Sequence, residues 1–219
     1  MKKTVPALCV VFSVGFFACG SPKEQQAADF PFLAKFKDQP LTDTMRFEVT
    51  FDDDGLAPGD TLPNAPFFAS LDTAWLPAIE NVADTAEASV LAKGHFPLNK
   101  NYDAYLVDIG WNWFKHQSLL VYDKQKHVFT DRVTVSEWYG GDGGQVLTGS
   151  YLLDMNNDGQ KDIVQREIDH SMVMLDNGEP QDRTTESASL LLWKEGRFEA
   201  SPTTDTAGLV KRFPIESAW

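Results

Sequence analysis

The chain has 219 residues, of which 32 are Asp or Glu and 19 are Lys or Arg, giving a formal charge of −13 at pH 7. Such a surface repels nucleic acid and anionic lipid headgroups, and it favours cations or basic partners. The length fits one domain with a sizeable core. Its two cysteines, Cys9 and Cys19, both lie near the start, so the remainder of the chain holds no disulfide and must be stabilised by its core or by a bound ion.

In chain order, Lys2 and Lys3 precede a 14-residue apolar run from Val5 to Ala18. That run is too short to span a hydrocarbon layer of about 30 Å comfortably, and small residues follow it, so residues 1–18 read as a secretion signal. The stretch Phe16-Phe17-Ala18-Cys19-Gly20-Ser21 resembles the lipobox of bacterial lipoproteins, which implies lipidation at Cys19. Two acyl chains there would give stable anchoring. Phe16 stands where an aliphatic residue is usual in that family, which leaves open ordinary cleavage to a soluble periplasmic or secreted protein. Without Lys2 and Lys3 the chain keeps 17 basic residues against 32 acidic ones, a formal charge of −15. No second run after residue 19 is long and apolar enough to cross a membrane, so contact with lipid is expected only through the anchor.

Residues 19–29 are small, polar and aperiodic, as suits a flexible tether, and residues 30–219 are expected to form a single β-rich domain. Met45 to Phe51 alternates apolar and polar residues and predicts a half-buried strand ending at Asp52-Asp53-Asp54-Gly55. Trp75, Leu76, Ile79 and Val82 have helical spacing within Leu71 to Ala83, although Pro77 must sit in a first turn or break the helix. Strands are then predicted at 102–109, 117–122, 128–138, 146–153, 163–168, 189–193 and 197–199, with a short helix at 207–213. Most gaps are too short for helical crossovers, so the expected fold is mainly β, an antiparallel sheet or partial propeller-like domain with one or two short helices.

The most informative motif is Asp154-Met155-Asn156-Asn157-Asp158-Gly159-Gln160-Lys161-Asp162. Oxygen-bearing side chains stand at loop positions 1, 3, 5 and 9 with glycine at 6, the pattern by which a short loop wraps Ca²⁺, an ion that takes about six to eight oxygens. Glycine permits the sharp turn that aims the carbonyl of position 7, Gln160, at the ion. An acidic turn would also favour Asp, Asn and Gly, but four ligand positions agreeing with the glycine favour calcium. Position 12 is Gln165, and the flanks read as strands, so this is not a helix-loop-helix calcium hand. The run Leu153 to Val164 resembles the calcium loops of FG-GAP and VCBS-type repeats, as in the propeller of integrin α chains. The resemblance implies Asp154, Asn156, Asp158, Gln160 by its carbonyl, and Asp162 as ligands. One copy does not make a full propeller.

Other clusters are weaker. Asp52-Asp53-Asp54-Gly55 reads as a solvated turn, since contiguous aspartates cannot all point inward; a second cation loop there stays open. Gly140 to Gly144 lacks the Lys-Ser/Thr of a phosphate loop. Trp111, Trp113, Trp138 and Tyr139, with Phe114, concentrate aromatics beside turns and form a candidate binding surface for a glycan or protein. Asp169-His170-Ser171 holds the residue types of a hydrolase triad, but strand neighbours point to opposite faces.

These readings converge on a non-enzymatic, calcium-stabilised lipoprotein of the cell envelope, at its periplasmic or outer-membrane face, with a basic protein or a glycan as partner. The arrangement is similar to periplasmic lipoproteins that inhibit lysozyme-like enzymes, which implies an inhibitor or immunity role. A glycan-acting hydrolase using paired acids and a structural envelope protein are the alternatives.

Overall fold

The computed structural model describes residues 30–49, 59–79, 85–112, 114–141 and 143–216. Cys19, Asp52 to Asp54, Trp113 and Asp142 lie outside them. The described chain is mainly antiparallel β. Ten strands form one sheet: β1 (Thr44–Phe47), β2 (Asp60–Thr61), β3 (Ser89–Pro97), β4 (Tyr102–Trp111), β5 (Phe114–Asp123), β6 (Val128–Gly141), β7 (Gly144–Leu153), β8 (Asp162–Met174), β9 (Pro180–Lys194) and β10 (Arg197–Ala200). From β2 to β10 each strand pairs with the next in sequence, an up-and-down meander.

The turns follow from local chemistry. Asp123 closes the β5–β6 turn by accepting from the N–H groups of Gln125 and Lys126 at 2.9 and 3.0 Å. Glu195 and Gly196 both have positive φ, 48° and 93°, the two-residue turn whose twist matches a hairpin.

β1 is the exception to the meander. β7 pairs β8 along its whole length on one side; on the other, Gly144 to Thr148 pair β6, whereas Ser150 to Leu153 pair β1. β6 has by then turned away to pair β5, and β1 fills the edge it leaves. The divergence bends the sheet on itself: Leu106, Leu119, Val121 and Val133 from β4 to β6 share one core with Phe47, Leu152, Ile163 and Phe198 from the other half. Side chains link the two halves where no ladder does. The Asp131 carboxylate on β6 accepts from Phe198 N at 2.7 Å, and Thr130 Oγ1 donates to the Gly196 carbonyl at 2.7 Å.

Both outer faces carry small helical layers. A 3₁₀ turn at Pro31–Lys35, α1 (Asn64–Ala69) and a second 3₁₀ segment at Thr73–Ile79 cover β3 to β5, where Phe32, Phe36, Phe67 and Leu71 pack against Val90, Val107 and Tyr122. Asn64 fixes α1 by donating to the carbonyls of Thr85, Ala86 and Ala88. At the other end α2 (Thr206–Arg212), capped by Asp205 accepting from Gly208 N at 3.0 Å, lays Leu209 on Val164 and Ala188.

The helix expected over Leu71 to Ala83 is instead 3₁₀ at Thr73–Ile79, with residues 80–84 outside the described ones. Pro77 explains it, since its missing N–H and fixed φ suit a tight turn better than an α-helix interior. β3 was not expected. Between Val90 and Phe96 its buried positions are the small Ala92 and Gly94, so the alternation there carries little apolar contrast. Among the described residues no helix is long and apolar enough to cross a membrane.

Candidate cation site

β7 ends at Leu153 and β8 begins at Asp162, so the loop between them joins two strands that pair along the whole of β7. Asn157 and Gly159 take positive φ, 60° and 81°, and these two left-handed steps reverse the chain. A Cβ on Gly159 would meet nothing within 4 Å, so glycine is there for its conformation and not for space.

The reversal turns oxygens inward. Asp154 accepts from Asp158 N through Oδ1 at 3.2 Å and from Gly159 N through Oδ2 at 2.9 Å. Asn156 Oδ1 accepts from Asp158 N at 3.0 Å, and Asp158 Oδ1 accepts from Gln160 N at 2.8 Å. Asn156 Nδ2 donates to Asp158 Oδ2 at 3.0 Å. Asp162 is fully buried: its Oδ2 accepts from Met155 N at 3.1 Å and its Oδ1 from Trp193 N at 2.9 Å, so it ties the loop to β9. Burial pushes the Asp162 carboxyl above its ordinary range; the Trp193 and Met155 N–H groups pull the other way, and the charges of Asp158 and Asp154 push further up. The loop is pinned from outside by Asn99 Nδ2 to Gln160 Oε1 at 3.2 Å and by Lys161 Nζ to the Asp43 carbonyl at 2.7 Å.

This donor set fits a hard divalent cation in kind: three carboxylates, one carboxamide oxygen, and a glycine-permitted turn. Among the described residues no group of three or more His, Cys, Asp or Glu side chains is drawn together as a metal centre, so an ion here needs Asn156 and main-chain oxygen beside the carboxylates. The Gln160 side chain, held by Asn99, leaves its main-chain carbonyl as the group the loop pattern assigns.

The aromatic candidates divide between two faces. Trp111 and Phe114 stack with centroids 6.4 Å apart and planes 6° from parallel, and Tyr139 lies 6.2 Å from Phe114. Trp138, the neighbour of Tyr139 on β6, faces the opposite side and packs with Leu147, Ile168 and Ile215. It also lines a cleft of about 310 Å³ with Gly140, Gly144, His170, Met172 and Asp182. His170 faces Asp182, with Nε2 3.8 Å from Oδ1, rather than its own neighbours Asp169 and Ser171.

Two polar clusters had no sequence signal, because pairing across strands creates them. His116 Nδ1 is 3.1 Å from Glu137 Oε1, and its Nε2 is 2.8 Å from both Ser118 Oγ and Arg132 Nη2. Burial holds His116 below its ordinary pKa; Glu137 opposes and Arg132 reinforces this. A neutral ring that accepts from Arg132 at Nε2 places its proton at Nδ1, toward Glu137. Serine, histidine and carboxylate thus fall in relay order. Ser118 is 1% exposed and also accepts from Arg132 Nε at 3.1 Å, so the group is a saturated internal network. Burial pushes Arg132 down to about 10. The second cluster places His95 between Asp38, 2.8 Å from Nδ1, and Asp103, 3.3 Å from Nε2 in an ionic contact without hydrogen-bond alignment. Lys124 lies 2.9 Å from Asp103.

No protein-family model, no curated protein and no solved structure matches this chain, so its site stands on the geometry alone.

Proposed function

We propose that this chain is a calcium-stabilised binding protein of the cell envelope, carried by a lipid at Cys19, and that it is not an enzyme. The observation that supports this best is the double role of Asp162, which closes the loop through Met155 N while clasping β9 through Trp193 N. An ion held by Asp154, Asn156, Asp158, Asp162 and the Gln160 carbonyl would neutralise the three carboxylates of the loop and brace three strands. A brace at the sheet's end leaves the outer surfaces for a partner, a basic protein or a glycan. Inhibition of a lysozyme-like cell-wall hydrolase is the specific form of this role that the acidic surface suits.

Thermal unfolding in EDTA and in millimolar Ca²⁺, with Asp158→Ala alongside, tests the reading. Free calcium at a hundred times its Kd adds about 2.7 kcal/mol, which reads as a rise of several degrees in Tm. A rise in the native chain that Asp158→Ala lacks supports it; the same Tm with and without calcium reduces the loop to an acidic turn. Slower lysis of cell-wall substrate by a basic lysozyme would support the inhibitor role, whereas turnover of that substrate by the chain alone would overturn the non-enzymatic reading.

A further inference from the structure

Large apolar side chains that stay exposed are few among the described residues, and three of them crowd one spot. Met172, Met174 and Leu175 are 53%, 66% and 41% exposed at the far end of the β8–β9 hairpin. They stand there because β8 and β9 outrun their neighbours. β7 begins at Gly144, opposite Ser171, so from Met172 onward β8 pairs only β9, and β9 pairs β10 only from Leu191. The result is a two-stranded ribbon projecting past the body, closed by Leu175 N donating to the Glu179 carbonyl and by Gly178 at φ 84°.

Its two faces differ. Met172 and Met174 share one face and oppose Asp182 and Pro180 across the ladder. That face continues into the cleft where Met172 meets Trp138, His170 and Asp182. Burying neither methionine does anything for this fold, and flexible thioethers held in water suit a surface that a partner covers. The charge around them is one-sided. From Glu167 to Thr185 the sequence carries Glu167, Asp169, Asp176, Glu179 and Asp182 against Arg183 alone. A second copy of this acidic chain, or an anionic bilayer, would meet repulsion at that tip, whereas a cationic protein surface would be drawn to it.

We infer that the tip of the β8–β9 ribbon is the docking surface for a basic protein, with Met172 and Met174 entering an apolar pocket on that partner and the surrounding acids meeting its cations. This rests on the binding-protein reading above and names its partner class and the face that partner takes. Apolar anchors ringed by charge divide the work: the thioethers set residence time, and the acids set the rate of encounter and its salt dependence.

The test is calorimetric and surface-based binding of the full domain to two basic probes, a lysozyme and cytochrome c, each also in succinylated, charge-reversed form. Binding to at least one native probe, lost on succinylation and weakened as salt rises from about 50 to about 300 mM, is expected. The double variant M172D/M174D should weaken it at least about tenfold, and E179K/D182K by a similar factor, with unchanged far-ultraviolet circular dichroism and Tm. Binding that both variants retain overturns the ribbon while leaving the binding-protein reading standing. Failure of both native probes to bind overturns the choice of a basic partner. Self-association or vesicle binding that M174D removes would instead assign the tip to a second copy or to a membrane and overturn the proposal as stated.

Discussion

Arg166 and Glu186 meet 2.6 Å apart across β8 and β9, the arginine side chain 1% exposed and the glutamate 47%. The guanidinium is therefore satisfied mostly by main chain. Its Nε donates to the Ser187 carbonyl at 3.1 Å, and Nη1 donates to the carbonyls of Val210, at 2.9 Å, and Phe213. These last two are end carbonyls of α2, which a helix leaves without internal partners. One arginine thus fastens the C-terminal helix to the sheet. Arg166→Met should cost about 3 kcal/mol, because three carbonyls, that of Phe213 fully buried, lose their donor, whereas Glu186→Gln should cost less than about 1 kcal/mol at a half-open site. Urea denaturation of both variants checks the asymmetry.

His95 and His116 should tilt the stability profile in opposite directions. For His95, burial disfavours the charged ring, but Asp103 and Asp38 outweigh it, so the folded pKa lies above the ordinary value. Its contribution is full below about pH 6.5 and fades as pH rises through the folded pKa. For His116, burial keeps the folded pKa below the ordinary value, so its contribution is full above about pH 6.5 and fades as pH falls. His95→Gln should leave stability that climbs with pH between about 5.5 and 7, and His116→Gln stability that declines there. Chemical denaturation at stepped pH reads both slopes; parallel slopes in the two variants would refute the assignment.

The Asp103 partner sets the acid limit of the same clamp. Burial opposes its ionisation, but His95 and Lys124 bring its carboxyl below the ordinary range, so that contribution is present above about pH 4 and lost as pH falls further. The tie between Asp38, His95 and Asp103 is accordingly strongest between about pH 4 and pH 6.5, and Asp103→Asn should flatten the profile below that window.

Gly159 and Gly196 both need positive φ, but for alanine they are not equivalent. At Gly159 a Cβ finds open space, so Gly159→Ala should cost only the conformational penalty of about 1 kcal/mol. At Gly196 it would come within 2.6 Å of the Tyr102 ring as well, so Gly196→Ala should cost about 2 kcal/mol or more. Thermal unfolding in EDTA gives the comparison without any contribution from an ion.

Asp158 and Asp162 separate the proposed ligand role from the brace. Asp162→Ala leaves the half-buried Trp193 N and Met155 N without acceptors and should cost about 2 kcal/mol even in EDTA. Asp158→Ala, at an exposed turn, should change little in EDTA and should remove the response to calcium. Equal losses in EDTA would assign both residues to the turn alone.

Strands carrying a run of buried apolar residues were legible in the sequence: the segments predicted at 102–109, 128–138 and 146–153 fall inside β4, β6 and β7. The outer halves of β8 and β9 were not, because Met172 to Ser187 has no buried face to impose alternation and only the long register with its partner keeps it extended. The residues of the loop from Asp154 to Asp162 were named in advance because they are contiguous. The clasp of Asp162 on Trp193, and the joining of His116, Arg132 and Glu137, were not, because each needs the sheet's register to bring distant positions together.

β7's shared edge has a mechanical side. Any pull on the chain from before residue 30 meets first the Phe32 and Phe36 layer and the Asp38–His95 contact, and then the short ladder that lays Thr44 to Phe47 along Leu153 to Ser150. That ladder begins beside the candidate cation loop, and Lys161 of the loop holds the Asp43 carbonyl just ahead of it. Tension entering from the N-terminal side is therefore delivered to the strand end that the loop adjoins, so the loop's grip bears on how firmly the sheet withstands being pulled from that side.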